Sequence, residues 1–223
     1  MQGAFGGQEF WDERYRSQTR IWSDRPNPAL VGQIADLPPG TALDVGAGEG
    51  ADARWLADRG WRVTALDISP VALDRAAAGT AEHRPDLVDR IEWLPADVVS
   101  WDPGARRFDL VCAHYFQTPP EHRTLVFARM AGWVAGGGTL LIVGHHPTDL
   151  QTTAHRPPMP EVFYTAEDVA ALLDPAQWTI LTSDAPGRTV TDPDGNEITV
   201  RDAVLRARRS PPPDRAGPPR RAR

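Results

Sequence analysis

The residues whose types and spacing could do chemistry begin with Leu43-Asp44-Val45-Gly46-Ala47-Gly48-Glu49-Gly50, an apolar run that stops at an aspartate and passes into glycines. Ala51 to Arg59 reads as a helix ended by Gly60, so the glycines occupy a strand-to-helix turn. Gly46 and Gly48 let the backbone turn sharply and bring its N–H groups, with the positive end of the next helix dipole, against an anionic or polar ligand group. Asp67 ends the next apolar run, Val63-Thr64-Ala65-Leu66, about 20 residues beyond the glycines, where a carboxylate can hold a ribose diol. The pattern is a nucleotide-type cradle.

Gly46, Gly48 and Ala51 also satisfy the dinucleotide fingerprint G-x-G-x-x-G/A. Asp44 argues against a dinucleotide, because its charge would lie beside a pyrophosphate. S-adenosylmethionine has no phosphate and presents a sulfonium and an ammonium, which a carboxylate attracts. Asp67 suits either cofactor. Two further groups, His114-Tyr115-Phe116-Gln117 and His145-His146-Pro147, follow the expected fourth and fifth strands and face the reacting end of such a ligand. Methyl transfer is an in-line displacement from a cation, so alignment and exclusion of water dominate and a base is needed only for a protonated nucleophile. His145, His146 and His114 are the candidate bases, since imidazole titrates near neutral pH, and each has a structural alternative as a loop hydrogen-bonding group. Tyr115 can pack on the cofactor or acceptor. Adjacent residues rarely converge on one ion, so no metal site is expected from these histidines and Asp149.

At these residues the chain resembles the class I S-adenosylmethionine-dependent methyltransferases. Leu43 to Gly50 is similar to their first motif, Asp67 to the ribose-binding acid, and Ala96-Asp97-Val98 to the third strand's exit, where an acid meets the adenine amino group. Phe108 to Ala113 is similar to their fourth strand and Gly136-Gly137-Gly138 with Thr139 to Val143 to the glycine turn and fifth strand. The resemblance implies S-adenosylmethionine as cofactor, held by Trp22, Asp44, Gly46, Ala47, Gly48, Asp67, Ile68, Asp97, Val98 and His114. Trp11, Tyr15 and Trp22 resemble the spaced aromatics ahead of the first motif in thiopurine- and tellurite-type enzymes, where that segment lies over cofactor and acceptor. On that likeness Trp11, Tyr15, Tyr115 and His145 would line a small-molecule acceptor. Alternatives are a non-catalytic cofactor-binding or regulatory protein and a nicotinamide-dependent oxidoreductase.

The elements that must position these residues alternate. Gln8 to Ser17 has helical spacing, with Phe10, Trp11 and Tyr15 placed to share a face. Pro28 to Leu37 reads as a second helix, Ser69-Pro70 opens another through Ala78, and Ile91 to Leu94 is a third strand. Pro120 to Trp133 is helical up to three glycines, and the prolines of 147–160 predict a long surface loop. Thr165 caps a helix to Leu173, Trp178 to Leu181 is a strand, and Asp192-Pro193-Asp194-Gly195-Asn196 is a hairpin turn. The expected fold is a doubly wound, mostly parallel seven-stranded sheet with an antiparallel C-terminal hairpin strand, Rossmann-like in class. Its parts are an aromatic lid or docking segment at 1–28, a domain at 29–209 and a disordered tail at 210–223, which carries five prolines and four Arg against one Asp.

At 223 residues with 41% hydrophobic content the chain can bury one sizeable core. No apolar run approaches the roughly 18 residues of a membrane span, and the N-terminus lacks the pattern of a signal peptide, so a cytoplasmic protein is expected. Cys112 alone cannot make an internal disulfide and is expected to be a buried thiol. A formal charge of −6 opposes nucleic-acid phosphates as partners. The acceptor atom and the choice between monomer and homodimer stay open at this level.

Overall fold

The computed structural model describes residues 7–211 apart from 117, 119 and 158. Gln117, residues 1–6 of the N-terminal segment and nearly all of the expected tail lie outside the described residues. In chain order the elements are α1 (Gln8–Arg16), α2 (Pro28–Ile34), β1 (Thr41–Val45), α3 (Ala51–Asp58), β2 (Arg62–Asp67), α4 (Pro70–His83), β3 (Ile91–Pro95) and β4 (Phe108–His114). They continue with α5 (Pro120–Trp133), β5 (Val134–His145), α6 (Ala166–Ala170), β6 (Trp178–Asp184), β7 (Gly187–Thr191) and β8 (Glu197–Arg209).

The strands run in the order β3-β2-β1-β4-β5-β8-β6, with β7 paired to β8 beside this path. β1, β2, β3, β4 and β5 are parallel, and β8 inserts antiparallel between β5 and β6. This is the expected doubly wound sheet, and β7 and β8 form the expected hairpin. The strand order reverses at β1, which pairs with β2 on one side and β4 on the other, so a crevice opens beyond its carboxyl end.

Side chains alternate across each strand, and this sorts the core into two layers. Leu43 and Val45 face a layer with Phe127 and Met130 of α5 and Val169 of α6. Ala42, Ala65 and Cys112 face the other, with Leu30 and Ile34 of α2 and Ala53 and Leu56 of α3. The same alternation turns Asp44 toward Cys112, on the α2 and α3 side, where it is only 2% exposed.

Local chemistry explains the helix starts. Asn27 accepts from the Ala29 N–H ahead of Pro28, Ser69 accepts from Ala72 ahead of Pro70, and Thr165 forms a capping box with Asp168. Boundaries differ from expectation in several places, β6 and β8 among them, which run on to Asp184 and Arg209. α2 stops at Ile34, α6 stops at Ala170, and α4 continues to His83 past Gly79 and Thr80, where the buried Thr80 hydroxyl donates back to the Ala76 carbonyl (2.7 Å). The glycines 136–138 lie within β5, where the pairing of Phe108 with Val134 and of Leu110 with Thr139 leaves a bulge that Gly137 follows at φ +84°.

The 147–160 stretch is also more structured than a surface loop. It contains 3-10 turns at Pro147–Gln151 and Pro160–Val162 and is pinned by Asp149, which is 2% exposed. Arg156 donates to Asp149 Oδ2 through Nε (2.9 Å) and Nη2 (2.8 Å), and the Arg201 N–H donates to Oδ1 (2.8 Å). Removing one member of such a pair leaves a buried charge without compensation. Asp149→Ala is therefore expected to cost roughly 3–5 kcal/mol in chemical denaturation, with Arg156 left unpaired; a loss under about 1 kcal/mol would mean that the pair is not structural.

Candidate active site

The turn after β1 is built by glycines at φ +75° (Gly46), +52° (Gly48) and +77° (Gly50). Its N–H groups are largely spent inside the protein. Gly46 and Ala47 donate to the Leu66 carbonyl (2.8 and 3.0 Å), and Gly48 donates to Asp67 Oδ2 (2.8 Å). Three of the N–H groups expected to face a ligand thus fasten β1 to β2 instead. What the glycines supply is space: a Cβ on Gly46 would lie 2.9 Å from the Phe116 ring, and one on Gly48 2.8 Å from the Tyr15 hydroxyl and 3.6 Å from Trp22.

Asp67 is 7% exposed, and its second oxygen accepts the Ser69 N–H (2.9 Å). Burial raises its pKa and outweighs the hydrogen bonds from Ser69, Gly48 and Ile68. Beyond it lies a cavity of about 340 Å³ lined by Gln8, Ile68, Pro70, Ala96 and Asp97. Ile68 and Asp97 share one recess, and the exposed Asp97 uses Oδ1 to accept from Val99 (2.8 Å). The Val98 side chain instead packs in the core, because its own position in the turn faces α5 and α6.

Behind the cradle, Asp44, Asp52 and His114 form a buried charged group. His114 Nδ1 lies 2.8 Å from Asp52 Oδ2, and Asp52 Oδ1 accepts the Asn27 N–H (2.6 Å). Burial opposes the imidazolium, but the charge of Asp52, its hydrogen bond and Asp44 raise the His114 pKa. Burial opposes the Asp52 carboxylate too, and there His114 lowers the pKa despite it. The Cys112 thiol donates to Asp44 Oδ1 (3.8 Å), while Oδ2 has no hydrogen-bond partner among the described residues. Burial, with Asp52 adding repulsion, pushes its pKa to about 7 against the pull of His114. Cys112 is a buried thiol as expected, and burial raises its pKa well above the ordinary value.

The N-terminal aromatics close over this region. Tyr15 is buried at 3%, Trp11 lies beside it at 6.1 Å between rings, and Trp22 Nε1 donates to the Tyr15 hydroxyl (3.0 Å). Phe10 does not share the buried face and is 46% exposed. The segment is tied down by polar groups that sequence reasoning did not single out. Glu49 Oε2 accepts the Ile21 and Trp22 N–H groups (3.1 and 2.9 Å), and Arg75 bridges Glu49 Oε1 and the Tyr15 carbonyl (2.7 Å each). The Ser69 hydroxyl donates to Asp12, and Arg54 pairs with Asp24. Glu49 sat within the glycine motif, but nothing in its spacing relates it to residues 27 or 28 positions earlier.

On the far side, Tyr115 follows the last residue of β4 at φ +52°, a left-handed conformation uncommon for a bulky residue. Its ring stacks on His145 (4.5 Å, 21°), and its hydroxyl donates to Asp202 (2.9 Å) and accepts from Arg188 (3.2 Å). His145 also meets the Phe163 ring at 5.8 Å. Burial and the Arg156 charge push the His145 pKa down to about 4, with Arg188 adding to the effect. His146 is set apart: its Nδ1 caps the Pro147 turn, accepting from the Thr148 N–H (3.3 Å). Asp149 is committed to Arg156, so these histidines and Asp149 do not converge.

Residues 42–138 match the family described as methyltransferase domain. The chain is 34% identical over 133 residues to the trans-aconitate 2-methyltransferase of Rhizobium meliloti (strain 1021), covering 59% of this chain and 48% of that protein. It is 35% identical over 115 residues to an uncharacterized methyltransferase of Mycobacterium tuberculosis (strain ATCC 25618 / H37Rv), covering 52% and 55%. The chain thus spans about half the length of the curated relatives it matches. A structure described under the conversion of a disulfide bond into a thioacetal group during echinomycin biosynthesis superposes with a TM-score of 0.69 at 25% identity, covering 91% of this chain and 92% of that one. The N-methyltransferase NodS from Bradyrhizobium japonicum WM9, in complex with S-adenosyl-L-homocysteine, shares the fold with a TM-score of 0.65 at 20% identity, covering 92% and 98%.

Glu49→Ala should release the N-terminal segment. Two charge-assisted hydrogen bonds disappear, so amide exchange at Ile21 and Trp22 should speed up by roughly tenfold or more while the β1 and β2 amides stay protected. Unchanged protection at both amides would show that the aromatic packing alone holds the segment.

Proposed function

We propose that the chain, whose fold is Rossmann-like and whose residues 42–138 match a methyltransferase domain, transfers a methyl group from S-adenosylmethionine to a small-molecule acceptor. The observation that carries this reading is the unpartnered Asp44 Oδ2, buried two residues before the glycine turn. A buried carboxylate oxygen without a donor is costly and favours a cationic partner over a pyrophosphate. The recess beside Ile68 and Asp97, with Ala96 and Pro70 as apolar walls, suits a flat base. When bound, the cofactor supplies an electrophilic methyl group on a sulfonium.

The rest is done by this chain. Asp67 is placed for the ribose hydroxyls, with both oxygens already oriented by Gly48 and Ser69 N–H groups and lone pairs to spare. Phe116, Tyr15 and Trp22 overhang the glycines and must shift aside or repack as the cradle fills. With Trp11 they then exclude water from the reacting atoms, which makes residues 8–27 a cover. The cover is docked through Glu49, Arg75 and Asp52, so its order does not depend on a ligand alone. Of the three candidate bases, His114 is committed to Asp52 and His146 to a turn, which leaves His145 facing the acceptor side beside Tyr115. With a pKa near 4, His145 is neutral at pH 7 and a weak base, so it orients the acceptor more than it removes a proton.

Calorimetry with S-adenosylhomocysteine and NAD tests the cofactor, and an acceptor screen following S-adenosylhomocysteine release tests turnover. Asp44 faces Asp52 on α3, His114 and Cys112 on β4 and Asp67 on β2. Its proton is held below about pH 7, and the ammonium of S-adenosylhomocysteine, the one cation that ligand keeps after losing the sulfonium, favours the ionised form, so it should bind more tightly as pH rises from 6 to 8. The free protein should behave oppositely, because Asp44 binds its proton more tightly folded than unfolded: the stability this contributes is full below the ordinary carboxyl value of 3.8 and is lost as pH rises to about 7. Asp44→Asn should weaken binding and flatten the pH profile; binding of NAD in preference, or an unaltered profile in the variant, refutes the assignment.

For His145→Ala the expected loss in kcat is about tenfold or less, below the roughly 10²–10⁴ attributed to a general base. A larger loss, with a kinetic pKa that vanishes in the variant, would make His145 the base after all.

A further inference from the structure

The proposed reaction uses the carboxyl ends of the strands, and the amino ends hold a second cavity. It measures about 420 Å³ and lies where β1, β2, β3 and β4 begin. Four arginines line it: Arg62 opens β2, Arg90 precedes β3, and Arg106 and Arg107 precede β4. The carboxylates on the same wall are Asp89 and Glu92, so the lining carries a net +2 in a chain of formal charge −6.

The guanidinium groups are only partly neutralised. Arg106 pairs with Glu92 Oε2 (2.9 Å), which also accepts from the Thr64 hydroxyl (2.8 Å). Arg90 donates to the Gly60 carbonyl (3.3 Å), and Arg107 to the carbonyls of Gly104 (2.8 Å) and Arg106 (2.7 Å). Arg62 has no side-chain partner among the described residues. Carbonyl anchors orient a guanidinium without cancelling its charge, and each retains N–H donors for another ligand. Arg106 is held over the Trp101 and Phe108 rings (5.8 and 5.9 Å), which stiffens the wall. Val63, Ile91 and Phe108, all well buried, form an apolar floor.

Four arginines from three chain segments lining one cavity suit a multi-oxygen dianion better than a single carboxylate. We propose that this cavity binds a small molecule through a phosphate or diphosphate group. The site is separate from the cradle, since the five residues of β1 put about 13 Å between its two ends.

Titration calorimetry with inorganic pyrophosphate tests the proposal, on the free protein and on protein saturated with S-adenosylhomocysteine. One site is expected, weakened by added salt and unaffected by S-adenosylhomocysteine. The double variant R62A/R107A, which removes two exposed side chains, should lose about tenfold or more in affinity, and Glu92→Gln should tighten binding by removing a competing charge. Arg208→Ala, an exposed arginine on β8, should change nothing. No heat at millimolar pyrophosphate, equal weakening by Arg208→Ala, or competition by S-adenosylhomocysteine would each overturn it.

Discussion

The arrangement of the site depends on one carboxylate. Asp67 accepts from Gly48 in the turn after β1 and from Ser69 in the turn after β2, so the two loops that form the crevice are joined at its oxygens. Ser69 carries the connection further. Its hydroxyl accepts from Ala72 to start α4 and donates to Asp12 of α1, which docks the N-terminal segment over the same loops. Charge-assisted hydrogen bonds to backbone donors fix position more tightly than apolar contact, and here they fix three elements at once.

A second carboxylate group sets the electrostatics. Asp44, Asp52 and His114 are buried side by side, and only the His114–Asp52 contact is balanced. Asp44 is left to hold a proton near neutrality. Such an arrangement lowers stability unless something cationic completes it, which is the common pattern at binding sites. Asp52 also accepts from Asn27, so the charge behind the cradle is mechanically linked to the chain that leads out of the aromatic cover.

The cover shows how a polar network changes a reading based on aromatic spacing. Trp11, Tyr15 and Trp22 suggest a lid, and a lid held by its ligands alone would be loose. Glu49 and Arg75 hold this one through backbone atoms of Tyr15, Ile21 and Trp22, with Tyr15 packed as firmly as a core residue. The segment is docked through these bonds, and Tyr15 and Trp22 lie against Gly48.

Much was legible in the sequence. Strand periodicity, the glycine turn, Asp67, the helix caps and the hairpin turn are local signals, because each depends on residues within a few positions and on backbone preferences that act before the chain folds. They pointed to a doubly wound sheet and to the end of it where ligands would bind, while the strand order and its reversal at β1 came with the structure. Only the tertiary structure decided which groups share a charge and which donors remain free. The N–H groups of Gly46, Ala47 and Gly48 looked available until β2 was seen to take them. Three histidines looked equivalent as bases until Asp52 claimed His114, a turn claimed His146, and burial beside Arg156 pushed His145 down to a pKa of about 4. Burial, pairing and pKa depend on neighbours brought together across tens of residues, as Asp44 is with Cys112 and Tyr115 with Asp202, and no spacing along the chain records those distances.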